Sequence, residues 1–353
     1  MIRIHSSIRD YHLEFVNDIK KHICGLAQEN ACFVIDQKVH RLYPELFAAL
    51  SKDQCFLVEA TEQNKSFDFC RGLILRLLDC KVRKNTKLIA CGGGIVQDVT
   101  SFCSSVLFRG IEWVFIPTTL LAQTDSCIGG KTSINVANYK NLIGNFYPPS
   151  QILIDLDFLK TLSKEDIKSG IGEILHFYFV AGEKRVAGMM EEYEHFFSDR
   201  SRLEKYILRS LEIKKRVIEI DEFDRGERNL FNYGHTFGHA IESISDYLVP
   251  HGQAVTLGMD LANFISVKRG LLKPDVFDQM RAHLEKNIPV YHFSVREMDS
   301  YLDALSRDKK NTDTQLSCIL TQGPGQMMKK QIPMDQVLRE NILEYFLKKE
   351  ALR

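Results

Sequence analysis

The chain has 353 residues, and its 46 Lys and Arg are balanced by 46 Asp and Glu. That length suggests two domains with a large core, while with zero net charge nothing global argues for nucleic acid or for an anionic membrane surface. No apolar run is long enough for a transmembrane helix, residues 1–20 are unlike a signal peptide, and nine scattered cysteines without a CxxC pair point to reduced thiols in a cytoplasmic enzyme.

The first half alternates strand and helix patterns. Residues 31–35 (ACFVI) form an apolar run closed by Asp36, the pattern of a buried strand with a polar carboxyl end. Residues 55–59 repeat it and end on Glu59. Helical periodicity fills 67–79. Residues 87–91 predict a strand leading into Gly92, Gly93 and Gly94, and a helix follows over 95–107 with Asp98 in its first turns. Strand, glycine turn and helix let a backbone approach a pyrophosphate at a helix N-terminus. A GxGxxG match would need glycine where Gln97 stands, so a plain tight turn is an equal reading. A buried strand at 113–116 is closed by Pro117 and followed by Thr118 and Thr119. The stretch DSCIGGKT, 125–132, is not a Walker A loop, because Asp125 occupies the place of its first glycine. It reads as a glycine-flexed loop carrying Asp125 and Lys131, followed by Lys140 and Asn141. Lysine meets phosphate as a point charge, and Asn adds a neutral donor.

Residues 152–154 predict the last strand of the first domain, and helices dominate beyond it. A capping-box pattern at 163–166 opens a long helix containing GEILHFYF, with Glu173 and His176 on one face. Glu192 and His195 repeat the Glu-x-x-His spacing of di-metal bundles, but on a polar face. Residues 203–220 form an amphipathic helix with Lys214 and Lys215, and turn-like residues run on to Arg228. Then comes NYGHTFGHAIESISDYLVPHGQ, 232–253. His235 and His239 are four apart and share a helix face, and His251 follows Pro250. Three imidazoles there suit a zinc site with two of them as ligands, a spare base and a third ligand from elsewhere. A zincin protease is disfavoured, because Thr236 stands where its general-base Glu belongs. A helix over 254–268 ends at Gly270; RDKKN (307–311), a short pair of strands and an amphipathic helix from Met334 complete the chain.

The stretches CGGGIVQD, FRG, IPTTLLAQTDSCIGGKTSIN, KNLIGNFYPP and RNLFNYGHTFGHAIES with HGQAV together resemble the sugar phosphate cyclase family, and its 3-dehydroquinate synthase branch most. The resemblance runs from about residue 31 to RDKKN. It implies a dehydroquinate synthase-like fold: an α/β Rossmann-like NAD-binding domain over 1–156 and an all-α domain over 157–353 holding metal and substrate, with the site between them. By position it makes Glu173, His235 and His251 the ligands of Zn2+ or Co2+, His239 a proton relay, and Asp125 a partner of substrate hydroxyls. His176 and Lys131 join them as catalytic candidates. Lys131, Lys140, Asn141, Asn232 and one of Lys309 and Lys310 would hold phosphate, with Arg109 reaching it from a neighbouring subunit of a homodimer. Lys214 and Arg228 match a pair that grips a substrate carboxylate. Asp36, Glu62, Lys65, Gly93, Gly94, Asp98, Thr118 and Thr119 fall where the family holds NAD.

The implied activity is NAD- and zinc-dependent cyclisation of 3-deoxy-arabino-heptulosonate 7-phosphate to 3-dehydroquinate with phosphate release, a lyase step of the shikimate pathway. Three positions depart from the family pattern: His176 replaces a lysine, Gln253 a glutamate and Gln97 a glycine. The alternatives are a cyclase of sedoheptulose 7-phosphate or glucose 6-phosphate, a metal-dependent polyol dehydrogenase, and a binding subunit derived from a cyclase. The Lys214 and Arg228 pair favours a substrate with a second anion, since Arg suits planar carboxylate pairing.

Overall fold

A computed structural model describes residues 1–137, 139–182, 184–307 and 314–351, with side chains up to Lys348. The chain divides into two compact units, Met1–Ser163 with Lys214–Phe223, and Lys164–Ile213 with Asp224–Arg353.

The first unit is built on a sheet of seven strands. In chain order these are β1 (Ile2–Ile4), β2 (Tyr11–Phe15), β3 (Ala31–Asp36), β4 (Cys55–Val58), β5 (Lys87–Gly92), β6 (Trp113–Pro117) and, after a separate hairpin of β7 (Ile134–Val136) and β8 (Tyr139–Ile143), β9 (Gln151–Ile154). The spatial order is β1-β2-β9-β6-β5-β3-β4. All neighbours run parallel except β1 against β2. Strands β3, β5 and β6 are buried along nearly their whole length, which is why they read as continuous apolar runs. The helices of this unit are α1 (Ile19–Ala27), α2 (Gln37–Leu42), α3 (Phe67–Asp79) and α4 (Gly94–Val106). From β3 the chain steps outward to β4, then returns to the other side of β3 as β5. The carboxyl ends of β3 and β5 therefore flank a topological switch point, the place where open α/β sheets bind ligands.

Residues 1–20 hold more than the sequence reading assigned them, because β1 and β2 form the antiparallel edge of the sheet. The segment between them anchors Lys214–Phe223 to the first unit. Glu222 accepts from Ser6 Oγ at 2.5 Å, Ser7 N at 2.9 Å and Ser7 Oγ at 2.7 Å, and Glu219 accepts from His5 N at 2.9 Å.

The second unit is helical, with α5 (Lys164–Ala181), α6 (Val186–Glu191), α7 (Glu204–Ile220, whose end belongs to the first unit), α8 (His235–Ile244), α9 (His251–Lys268), α10 (Pro274–Leu284), α11 (Met298–Ser306) and α12 (Gln336–Ala351). One hairpin, β10 (Gln315–Thr321) with β11 (Met327–Pro333), supplies the expected short pair of strands. Helix α9 begins at His251 rather than at Ala254, so His251 sits in its first turn with Pro250 as N-cap. Helix α9 is buried almost all round and packs on α5 and α8 at glycines. A Cβ on Gly252 would overlap the Ser169 carbonyl, and one on Gly172 would overlap the Gly252 carbonyl. Helix α12 buries Leu338, Ile342, Tyr345 and Phe346, an apolar stripe at helical spacing.

A buried ion pair ties three of these helices together. Asp260 of α9, 1% exposed, takes Arg281 Nη2 at 2.8 Å and Nε at 3.1 Å, and accepts from the Tyr345 hydroxyl at 2.7 Å. Removing one partner of a buried pair strands the other charge. Asp260→Ala is expected to lower unfolding free energy by about 3 kcal/mol, the lower end for such pairs, because Arg281 keeps some solvent. Chemical denaturation checks this; a loss below about 1 kcal/mol would put the pair among surface bridges.

Candidate functional site

Within the second unit, α5, α8 and α9 bring Glu173, His235 and His251 together. Glu173 Oε1 lies 3.2 Å from His251 Nε2 and 3.7 Å from His235 Nε2. Tetrahedral zinc with bonds near 2.0–2.1 Å separates its donors by about 3.3 Å. One oxygen and two nitrogens thus fit a divalent ion, and all three ligand atoms lie within 4.8 Å of one another. Glu173 is 1% exposed, and its Oε1 accepts no well-formed hydrogen bond among the described residues. A buried carboxylate oxygen aimed at two imidazoles is costly unless a cation completes it. Burial and the neighbouring histidines hold His235 well below its ordinary pKa, which keeps it neutral as a ligand must be. Burial opposes protonation of His251 as well, but Glu242 and Glu173 outweigh it and hold that ring well above its ordinary value.

His239 is exposed, with its ring 5.4 Å from His235 and stacked 5.6 Å from His251. His176 is fully buried, with Nδ1 3.7 Å from Glu173 Oε2 and its ring 4.8 Å from that of His235. Arg228 and Asn232 follow one another in the 3-10 turn Glu227–Asn232, where Arg228 is buried and Asn232 Nδ2 donates to Asn229 O at 2.8 Å. Lys309 and Lys310 lie outside the described residues. Sequence reasoning missed Glu242, whose Oε2 lies 3.1 Å from His251 Nδ1. Its signal was its place seven residues after His235, two helical turns along the same face.

In the first unit, Gly93 is the N-cap of α4, without a side-chain cap. A Cβ on Gly93 would press on Thr119 at 3.0 Å, and one on Gly92 would meet Val96 at 2.7 Å. The turn therefore keeps its backbone bare at the helix N-terminus, as a pyrophosphate needs. Asp36 ends β3 across the switch point and caps α2 by accepting from Lys38 N at 2.7 Å; burial pushes its carboxyl upward. Thr118 N bonds to Gly92 O at 3.0 Å, and Thr119 Oγ1 accepts from Ala122 N at 3.2 Å.

The remaining candidates of this unit fall into two groups. Lys65 Nζ is 2.7 Å from Asp98 and 2.8 Å from Asn141 Oδ1. Glu62 takes Asn135 Nδ2 at 2.8 Å, with Lys140 Nζ at 3.4 Å. Burial raises the Asp98 carboxyl against the pull of Lys65. Lys140 and Asn141, expected on phosphate, thus share a network with Glu62, Lys65 and Asp98. The second group is Lys214 with Asp125: Nζ lies 2.8 Å from Oδ1 and donates to the Asp125 carbonyl at 2.6 Å. Lys214 is 7% exposed and already has an anionic partner, which its sequence position did not reveal. Asp125 sits in a π-helical turn, Ala122–Ser126, of a kind common at functional sites. Lys131 and Arg109 are exposed, and Arg109 has a left-handed backbone with φ 60°.

Residues 55–169 match the family described as 3-dehydroquinate synthase N-terminal, and residues 170–311 match 3-dehydroquinate synthase C-terminal. The chain belongs to the 3-dehydroquinate synthase family. The enzyme of that name from Helicobacter pylori (strain G27) is 35% identical over 84% of this chain and 85% of its own. The fold is that of 2-deoxy-scyllo-inosose synthase, solved with carbaglucose-6-phosphate, NAD+ and Co2+, at a TM-score of 0.84, 22% identity, and 97% and 99% of the two chains. ValA, the 2-epi-5-epi-valiolone synthase of Streptomyces hygroscopicus subsp. jinggangensis 5008 with NAD+ and Zn2+, matches at 0.84 and 23% identity over 99% of each chain.

The three positions read from the sequence as departures from the family pattern each have a local setting. The Gln97 amide clasps Ser126, donating to its carbonyl at 2.6 Å and accepting from its hydroxyl at 2.5 Å. Gln253 is buried and turned toward the Asn287 carbonyl at 3.5 Å, a contact that an amide N–H makes and a carboxylate does not. His176 packs among the rings of Phe177, Phe231 and Tyr233, with Nδ1 toward the Glu173 carboxylate.

Proposed function

We propose that this enzyme cyclises 3-deoxy-arabino-heptulosonate 7-phosphate to 3-dehydroquinate and inorganic phosphate, with no net redox change. The observation that carries the reading is the donor set of Glu173, His235 and His251 in a member of this family. The chemistry supplied by a bound divalent ion and NAD is acidification of a substrate hydroxyl and a hydride accepted and returned within one turnover. The chain's own residues bind and orient. Exposed His239, stacked on His251, moves a proton between substrate and solvent. Asp125 and Lys214 present an acceptor and a cation side by side, for a hydroxyl and for a carboxylate, and Arg228 is likewise assigned to the carboxylate. Lys131, Asn141 and Asn232 are assigned to the phosphate, and Gly93, Gly94, Asp36 and Asp98 to the nucleotide. His176 enters through Glu173, whose carboxylate it touches. The same reading makes the enzyme a cytoplasmic homodimer with Arg109 reaching the partner's bound phosphate. No helix among the described residues is long and apolar enough to cross a membrane.

Phosphate release should be measured in parallel with the heptulosonate phosphate, sedoheptulose 7-phosphate and glucose 6-phosphate while NADH absorbance is followed. The expected result is release from the first substrate without NADH accumulation. Faster release from sedoheptulose 7-phosphate would move the enzyme to the cyclitol-forming cyclases. NADH rising in step with product would make it a dehydrogenase.

A further inference from the structure

We propose that Glu242 is a positioning residue of the metal centre, whose carboxylate fixes the tautomer and plane of the His251 ring. The proposal rests on the reading of Glu173, His235 and His251 as metal ligands. His251 lies between two carboxylates: Nδ1 is 3.1 Å from Glu242 Oε2, and Nε2 is 3.2 Å from Glu173 Oε1. A carboxylate only accepts hydrogen bonds; with an ion held between Nε2 and Glu173, the ring proton belongs on Nδ1, facing Glu242. In the neutral ring Nε2 then keeps its lone pair, the form that binds a metal. His235 is held in the same sense, with Nδ1 3.2 Å from the Tyr233 carbonyl oxygen, which also can only accept. Both rings thus meet an acceptor at Nδ1 and turn Nε2 to Glu173.

The two anchors differ in kind. The Tyr233 carbonyl is backbone, two residues from the ring it holds. Glu242 is a side chain of α8 that reaches the first residue of α9. Its side chain is 14% exposed, so solvent competes weakly for the bond. The His251 side chain is 31% exposed, and without Glu242 its open side would admit other ring orientations and the other tautomer. Outer-shell partners of this kind change metal affinity about 10- to 100-fold.

The test is zinc affinity of the full chain, measured without substrate by competition with a chromophoric chelator. Glu242→Ala should weaken binding by about 10- to 100-fold. Glu242→Gln, whose amide oxygen still accepts from Nδ1–H, should recover to within about threefold of the parent. Metal-free Glu242→Gln should melt with the parent, which separates orientation from folding. Undiminished zinc affinity in Glu242→Ala overturns the proposal, and so does a Glu242→Gln as weak as the alanine variant. His251→Ala separates the levels: if it loses zinc while Glu242→Ala binds normally, only the positioning role falls. If His251→Ala keeps its zinc, the ligand assignment falls and the proposal with it.

Discussion

Glu173→Gln is expected to empty the metal site and lower turnover by on the order of a thousandfold or more, the several kcal/mol of transition-state stabilisation that a catalytic metal supplies. The substitution keeps the shape of a side chain that is 1% exposed and removes only the charge. Two imidazoles 3.2 and 3.7 Å from that oxygen would then lack the anion that offsets the ion's charge. The fold should persist, because a neutral amide in this pocket is less costly to bury than an ionised carboxylate. Elemental analysis gives the metal content, phosphate release the turnover, and a melting curve in chelator the fold. Stoichiometric metal and parental turnover in this variant would remove Glu173 from the centre.

Gly252→Ala should unfold the second unit early and loosen the metal site, though it adds a single methyl. The new Cβ would overlap the carbonyl oxygen of Ser169, a backbone atom that no side-chain rotation clears. Overpacking of this kind costs about 3 kcal/mol at the upper end of the usual range. That corresponds to a fall in Tm of roughly 6–12 °C for a unit of this size. The site should suffer with the fold, because His251 precedes Gly252 in α9 and Glu173 stands on α5, the helix that would be pushed away. A variant melting within about 2 °C of the parent, with its metal in place, would show that α5 and α9 separate without consequence.

How far the chain could be read beforehand depended on what each segment buries. Strands β3, β5 and β6 are covered on both faces, and ACFVI, KLIAC and WVFI announced them as apolar runs. Strands β1 and β2 sit at an edge and bury alternate residues such as Ile4, Tyr11 and Leu13, a pattern too short to stand out among charges. The β7–β8 hairpin was hidden for a similar reason, since every residue of β8 is exposed. At the candidate metal site, His235 and His239 were visible through their spacing of four. Glu173 is sixty-two positions before His235 in the chain, and only the family resemblance connected the two. Lys214 and Asp125 could not be paired from the sequence, because their contact spans 89 positions and depends on tertiary packing.

The anchoring of Lys214–Phe223 by His5, Ser6 and Ser7 also bears on how the polypeptide is made. A chain leaving the ribosome folds its N-terminal parts first. Here the first unit is not contiguous: its sheet is complete by Ile154, but Lys214, Glu219 and Glu222 emerge only after residues 164–213 of the other unit have been synthesised. Until then Asp125 lacks its lysine and the serines between β1 and β2 lack their carboxylate. The nascent chain therefore holds an open nucleotide-type sheet while half-made helices accumulate behind it. For the same reason, a fragment cut at Ser163 is a truncated unit rather than an isolated domain.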